Sequence, residues 1–426
     1  MNKPSLLRSV RSHCLRIRAW PLYLCLLSAA AAGADWRQFR GNDNTGAGPA
    51  GSLPVEWSVP GDEAGGAAKS KNIAWQADLP GRGVSSPIVV GGKVIVTASS
   101  GIRQDRLHVL AFDVETGQLA WERQFWATGH TSCHPTMAVA APTPASDGEH
   151  VFAFYSSNDM VALDLDGNLQ WVRGLTHDFP AAANDVGMAA SPVVIGDTLV
   201  VQVENKGESF AAGLDTATGQ TRWQHDRDKQ MNWTSPAVLR GKGPADDAVL
   251  LQSPSRLTAH HPRTGEQLWA YPAGCSVIPS VVAAEGTVFL PTGGLTALRP
   301  PSGSQAAEVL WTQAKLGPGS ASPLIDQGRV YALNNGGVLT CGDAATGEEL
   351  WRLRLAGPFW ATPIAAGGHI YCVNEKGLAQ VVRPQESEGE LVARNDFGEP
   401  ILASPAADGH ALYFRSDAHL WKIEGR

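Results

Sequence analysis

Basic charge is scarce in this chain of 426 residues, and so are cysteines, catalytic motifs and long apolar runs. Lysine and arginine total 34 against 41 aspartates and glutamates, a formal net charge of −7. That balance argues against nucleic acid as a partner, because a phosphate backbone calls for a basic surface. The N-terminal apolar stretch Trp20 to Ala32 holds only 13 residues, short of the roughly 20 that span a bilayer as a helix. No Ser-His-Asp order, phosphate-cradling glycine loop or paired-carboxylate motif stands out, which leaves no sequence signature of hydrolase or nucleotide chemistry. Of the six cysteines, none is adjacent to another.

Residues 1–34 have the makeup of an export signal. Lys3, Arg8, Arg11, Arg16 and Arg18 precede the apolar stretch, and Ala32-Gly33-Ala34 offers small residues for cleavage before Asp35. An uncleaved anchor is the alternative. No paired arginines point to the folded-protein export route, and neither Cys14 nor Cys25 sits in a lipid-attachment context. Cleavage would remove five basic and no acidic residues, leaving 29 against 41, a net charge of −12 and no membrane-spanning segment. Export to the periplasm or the extracellular space is therefore expected. Residues 35–72 form a Gly-, Pro- and Ala-rich lead, and the aromatics of Trp36-Arg37-Gln38-Phe39-Arg40-Gly41 are expected to pin it to the outside of the domain that follows.

What the chain does have is repetition. The phrase Ala-x-Asp-x-x-Thr-Gly-x-x-x-Trp reads cleanly at Ala111, Asp113, Thr116, Gly117 and Trp121. Copies follow at Gly213 to Trp223, Ala259 to Trp269 and Cys341 to Trp351, with a shortened one at Ala162 to Trp171 and a stretched one at Ala297, Ser302, Gly303 and Trp311. Each makes sense as a strand end, a tight reversal and a new strand: the Asp accepts bonds from the backbone just ahead, and Gly supplies the positive φ. The Trp then presents a large, flat face to a neighbouring sheet. A second marker precedes each phrase: Ser86-Pro87, Thr143-Pro144, Ser191-Pro192, Ser235-Pro236, the inverted Pro279-Ser280, Ser322-Pro323, Thr362-Pro363 and Ser404-Pro405. A short apolar run, a turn and another apolar run follow it.

Four short strands at a period of some forty residues describe one blade of a β-propeller. The last unit supplies only three strands, and Ile73-Ala74-Trp75-Gln76-Ala77 is a lone strand at the front, so the two are expected to complete one blade and close the ring. The prediction for residues 73–426 is an all-β, eight-bladed propeller of four-stranded antiparallel blades, with seven or nine as the neighbouring counts. Trp75, Trp121, Trp171, Trp223, Trp269, Trp311 and Trp351 are the expected docking residues between blades. The seventh unit departs from the phrase, with Gln380 and Arg383 in place of Ala and Asp and Val392 in place of Trp, which predicts a looser blade contact.

These copies resemble the quinoprotein, or pyrroloquinoline quinone-like, repeat family over residues 73–424. The resemblance to its non-catalytic, exported BamB-type propellers implies a scaffold in the cell envelope that binds a protein, a peptide or a polysaccharide, as a monomer and without a cofactor. The alternative it implies is an alcohol or sugar dehydrogenase using pyrroloquinoline quinone with calcium. Family enzymes of that kind place Glu, Asn and Asp around calcium, often with adjacent cysteines against the cofactor. Here Asn184, Asp185 and Glu204 offer the ligand types calcium prefers, but the adjacent cysteines are missing.

Binding residues are expected on the face opposite the hairpin turns, on irregular loops over a rigid scaffold. The loops there predict a funnel lined by Asn184, Asp185, Asn232, Trp233, Asn334, Asn335, Trp360 and Asn374. His130, Cys133 and His134 are the one soft-ligand cluster that could hold zinc or copper, against which stands a plain surface loop. No catalytic residue is assigned. Cys341, at the small position of the phrase, reads as a buried, inert thiol, and no disulfide with Cys372 is predicted.

Overall fold

Asp113 shows how the phrase folds. Its Oδ1 accepts hydrogen bonds from the Glu115 and Thr116 amides and from the Thr116 hydroxyl, and Thr116 Oγ1 accepts from the Gln118 amide. Asp215 and Asp343 make the same turn. His261 stands in for the carboxylate in the Ala259 copy, its Nδ1 accepting from the amides of Arg263 and Thr264.

In the computed structural model, which describes residues 34–59, 70–182, 186–301 and 306–425 together with Met1, these turns join eight four-stranded antiparallel sheets. Residues 2–33 of the expected export signal, Asn184, Asp185, Ser302 and Gly303 lie outside the described residues. Blade 1 runs through Ile88–Val90, Lys93–Ser100, Arg106–Asp113 and Leu119–Trp126. Blades 2 to 7 occupy residues 145–174, 193–226, 237–272, 282–313, 324–354 and 364–396. Blade 8 combines Ala406–Ala407, Ala411–Arg415 and His419–Glu424 with Ile73–Asp78, the last two pairing antiparallel. The expected ring closure is therefore present, and no described helix is long and apolar enough to cross a membrane.

Within a blade the middle strands are buried on both sides and the outermost strand on alternate residues, as its mixed apolar and polar sequence requires. A bulge just before each Trp sets the small residue of the phrase directly across from it, in the pairs Ala111 with Trp121, Ala162 with Trp171, Gly213 with Trp223 and Cys341 with Trp351. Six of the Trp residues dock on the next blade. Trp75, Trp121, Trp171, Trp223, Trp311 and Trp351 donate from Nε1 to the carbonyls of Val114, Leu165, Thr216, Pro262, Ala344 and Gln385. The turn that Trp269 would face includes residues 302–305, outside the described residues.

The seventh blade corrects two expectations. Its register places Val381 opposite Ala393, so Ala393 and not Val392 stands where the Trp would be, and Val381 and not Gln380 takes the small residue's place. The contact is also not loose. Elsewhere the Trp leans on a second-strand aromatic, as Trp351 does on Tyr331 with ring centroids 5.9 Å apart and Trp75 on Tyr413 at 6.3 Å. In blade 7 the equivalent Tyr371 is met at 6.4 Å by Trp57 of the lead, which also packs on Phe397 and Phe414. Asn395 fixes it, accepting from the Trp57 amide and donating to the Val55 carbonyl.

The rest of the lead corrects a third expectation, because it runs inside the ring. Trp36 exchanges two backbone bonds with Val89 of blade 1, the Arg37 carbonyl accepts from Ser146 of blade 2, and Gln38 Oε1 accepts from Val194 of blade 3. Asn44 Oδ1 accepts from Val238 of blade 4, Arg40 donates to the Val281 carbonyl at blade 5, and the Thr45 carbonyl accepts from Ile325 of blade 6. Gly46 and Gly48 bracket Ala365 of blade 7, and Ala34 donates to Asp408 of blade 8. All these contacts fall on the innermost strands beside their first hairpin turns. The exposed backbone of eight inner edges explains why a Gly-rich segment suits this path: little side-chain bulk intervenes between the lead and the edges it must satisfy.

Candidate functional site

The Ser/Thr-Pro marker builds the wall of the axial channel. The amide of Ser86 donates to Thr143 Oγ1 at 2.9 Å, Thr143 to Ser191 Oγ at 3.0 Å and Ser191 to Ser235 Oγ at 2.9 Å. The sequence continues through Ser280, Ser322 and Thr362 to Ser404. Seven successive blade junctions are thus tied amide to hydroxyl among the described residues. The hydroxyl residue makes the link whichever side the proline stands on, since Ser280 of the inverted Pro279-Ser280 both donates and accepts in the same chain. At the junction of blade 8 with blade 1, Arg415 donates to Ser85 Oγ and the Thr97 carbonyl, while Asp417 accepts from the Gly83 amide and from Arg82.

Inside this girdle lies a cavity of about 450 Å³. Phe39 of the lead closes its base, and Ser86, Thr143, Ser191, Ser235, Ser280, Ser322, Thr362 and Ser404 ring its waist. Val84, Met137, Met188, Met231, Trp233, Ile278, Trp360 and Leu402 form its upper wall, with Cys133 and the exposed His134 near the mouth. No described lining residue is Asp, Glu, Lys or Arg. The cavity is blind, because the lead seals the turn face, and it opens toward the loops that enter each blade.

Of the residues expected to line a funnel, Trp233 and Trp360 lie on the cavity wall. Trp233 is held by a 2.9 Å bond from Nε1 to the Gly187 carbonyl and by its own amide to Val277. The asparagines behave differently. Asn232 is buried, donating to Glu204 and to the Gln252 carbonyl. Asn334 and Asn374 accept backbone amides inside their own turns, and Asn335 accepts from the Ser320 amide at 2.6 Å. None of the four lines the cavity. Their side chains are spent on loop geometry, as short amides in turns commonly are.

Glu204 is likewise engaged. It is 2 % exposed, and its carboxylate accepts from Arg227 Nε at 2.7 Å, Ser253 Oγ at 2.6 Å and Gln202 Nε2 at 3.0 Å. This is a buried ion pair binding blade 3 to blade 4. His130, Cys133 and His134 are not assembled: no group of three His, Cys, Asp or Glu that could hold a metal occurs among the described residues. Cys133 contacts Gln104 and the Met137 carbonyl, and burial pushes its thiol up from the ordinary value. All four cysteines of the propeller are free thiols. Cys341 and Cys372 are buried, and burial raises them to about 11 and about 12.

The described lining can be compared with what the quinone cofactor would need. Pyrroloquinoline quinone is a planar tricarboxylate that in the enzymes is held with calcium, so its site must supply cationic donors and oxygen ligands for the metal. The described residues of the cavity supply neither, and they do not fit that group.

Sequence reading missed the methionines. The chain has five, and three of them, Met137, Met188 and Met231, come from different blades to meet on this one wall. The signal was available in composition, but not the convergence.

Fold and cavity together define a class: an eight-bladed propeller of quinoprotein type, with a rigid ring presenting irregular loops around a blind axial cavity. The family model described as outer membrane protein assembly factor BamB matches residues 36–212, 182–290 and 291–384, and the chain belongs to that family. A polyvinylalcohol dehydrogenase of a Pseudomonas species is 26% identical over 236 residues, covering 52% of this chain and 31% of that protein. An outer membrane protein assembly factor BamB of Alkalilimnicola ehrlichii is 27% identical over 161 residues, covering 38% of this chain and 37% of that protein. The chain thus spans about a third of the length of these curated relatives. Among solved structures, BamB of Moraxella catarrhalis superposes with a TM-score of 0.62 at 17% identity, covering 83% of this chain and 97% of that one. A quinohemoprotein alcohol dehydrogenase of Comamonas testosteroni superposes with a TM-score of 0.65 at 14% identity, covering 93% and 82%. At these identities the likeness is one of fold.

Proposed function

We propose that the chain is a non-catalytic binding propeller of the cell envelope that receives an uncharged, apolar stretch of a partner polypeptide in its axial cavity. The observation that carries this reading is the lining, two tryptophans and three methionines above a ring of hydroxyls, with no charged side chain among the described residues. Methionine adapts its shape to irregular apolar partners, and Trp adds flat area that loses little entropy on binding. The hydroxyls retain O–H donors that suit the carbonyls of a bound main chain. A polysaccharide would ask for many more polar partners than this wall offers. Placement in the envelope rests on membership of a family named for an outer membrane assembly factor and on the export signal read in residues 1–34.

A second reading is favoured by one finding, the dehydrogenase relative at 26% identity. Set against it is the lack of a charged side chain among the described lining residues.

Tryptophan emission of the purified protein, titrated with short uncharged apolar peptides and with acidic and basic ones of equal length, tests the first reading. Saturable change with the apolar set alone is expected, weakened about tenfold or more by Trp360→Ala and by Met188→Lys, as for an anchor at the centre of an interface. Equal binding by both variants would move the site off the axis. Saturable uptake of the quinone with calcium, accompanied by dye reduction with an alcohol, would replace this reading with the second.

A further inference from the structure

Three side chains on one face of blade 1 are joined by short hydrogen bonds, away from the axis. Ser100 ends the second strand of the blade, His108 stands on the third and Glu122 on the fourth. His108 lies across from Ala98 and Gln124, and Ser100 and Glu122 are each two positions from those partners. Strand alternation therefore puts all three on the face turned toward blade 8. Ser100 Oγ is 2.7 Å from His108 Nε2, and His108 Nδ1 is 2.6 Å from Glu122 Oε1. Gln124 Nε2 donates to the same carboxylate oxygen at 3.0 Å, and the buried Tyr155 of blade 2 donates to the His108 carbonyl at 2.8 Å.

A carboxylate only accepts, so the imidazole proton resides on Nδ1, and Nε2 is left to accept from the Ser100 hydroxyl. The order is nucleophile, base and orienting acid. Other histidines lack one half of it: His150 meets a carboxylate without a hydroxyl, and His134 a hydroxyl without a carboxylate. His108 is 2 % exposed, whereas Ser100 remains partly open to solvent. The amides of Gly101 and Ile102, in the exposed turn just after the serine, donate to no group among the described residues and are at hand for a developing oxyanion. Space lies alongside. A groove of about 440 Å³ runs along the seam of blades 8 and 1, walled by Asp78, Leu79, Pro80, Leu110, Phe112 and Glu122. Gly81 carries that wall on to the serine, since a Cβ placed there would lie 2.9 Å from Ser100 Cβ.

The geometry points to a second site, at which Ser100 and His108 hydrolyse uncharged esters of short acyl groups, with Glu122 as the positioning residue. Ser100 Oγ bonds to the ester carbonyl carbon while its proton passes to His108 Nε2. The C–O bond to the alcohol then breaks, and His108 returns that proton to the leaving oxygen. Water attacks the acyl-serine by the same route, giving the acid and restoring the hydroxyl. The leucines and Phe112 suit a short apolar acyl chain, and the carboxylates of Asp78 and Glu122 disfavour an anionic substrate. None of the three residues lines the axial cavity. The non-catalytic reading rests on the axis alone, so the axis binds and the flank reacts.

The purified full chain is treated with a fluorophosphonate and its peptides mapped by mass spectrometry, and p-nitrophenyl acetate and butyrate are assayed in parallel. One phosphonyl group on Ser100 and saturable ester turnover are expected. Ser100→Ala should lose the label and lower kcat/KM by about a hundredfold or more. Glu122→Gln should lower kcat by about tenfold or more while KM and Tm stay close to those of the unaltered protein. A bond that only braces the blade would move Tm instead. No label, a label on another residue, or equal turnover by Ser100→Ala would overturn the proposal, as would labelling without turnover. Should a variant fail to fold, the adduct map and turnover of the unaltered protein still decide. Peptide titration of the axial cavity is expected to be the same in Ser100→Ala, so the two sites stand or fall separately.

Discussion

Gly219 sits at φ +69°, and a Cβ placed there would lie 2.6 Å from Cδ2 of Trp171. Gly196 has nearly the same φ, +59°, with nothing within 4 Å of its virtual Cβ. The pair separates backbone strain from close approach. Gly196→Ala should cost only about 1 kcal/mol, from the left-handed conformation. Gly219→Ala should cost about 2–4 kcal/mol, because it also forces the docked Trp off its turn. Denaturant midpoints of the two variants check this. His260 offers a second test at the same scale. It is buried and stacked parallel to Trp223, and burial lowers it from 6.5 to about 4. Between those values the unfolded chain binds a proton that the folded protein refuses, so stability present above pH 6.5 falls as pH drops toward about 4 and then levels off. Melting temperatures across that window should slope less in His260→Gln than in the unaltered protein.

The strand built on the Trp phrase was legible because its chemistry is local: Asp, Thr and Gly make the turn, and the Trp follows at fixed spacing. The lead was not legible. Its partners are spread over all eight blades, 338 residues away in the case of Trp57 and Asn395, and no periodicity connects them. The same holds for the cavity. Trp233 and Trp360 line the cavity, whereas Asn232, Asn335 and Asn374, expected beside them, bond to neighbouring backbone or side chains and do not line it. Only folding reveals whether an amide is already paired. Blade 7 gives the element-scale prediction. Since Trp57 replaces the ring that Ala393 lacks, Trp57→Ala should destabilise by about 3–5 kcal/mol. Hydrogen exchange should quicken first in Gly389–Asp396 and Ala411–Arg415, the strands flanking that seam. Uniform quickening over all blades would show that the lead does not serve as the seam's filler.

Closure of the whole ring depends on one blade made from both ends of the described propeller. The junction of blade 8 with blade 1 relies on Arg415, which is fully buried, where its neighbours rely on hydroxyls. Arg415→Met should therefore lower stability by about 2–4 kcal/mol, from lost charge-assisted bonds and the carbonyl left behind. Its signature should be early exchange of Ile73–Asp78 and concentration-dependent self-association through the freed edge, measured by size-exclusion chromatography. A variant that stays monomeric and loses stability evenly would place closure elsewhere.

The amide-to-hydroxyl links are interchangeable. Each blade brings one donor and one acceptor of the same kind, so a ring with a blade added or removed could be stitched in the same way. The lead is not interchangeable. It meets each inner edge through a different residue, Trp36, Arg37, Gln38, Arg40, Asn44, Thr45, Gly46 with Gly48, and Ala34. Duplicating one blade would leave an edge that this segment has no residue to satisfy. The repeats supply modular parts, and the non-repeating segment acts as the template that counts them to eight.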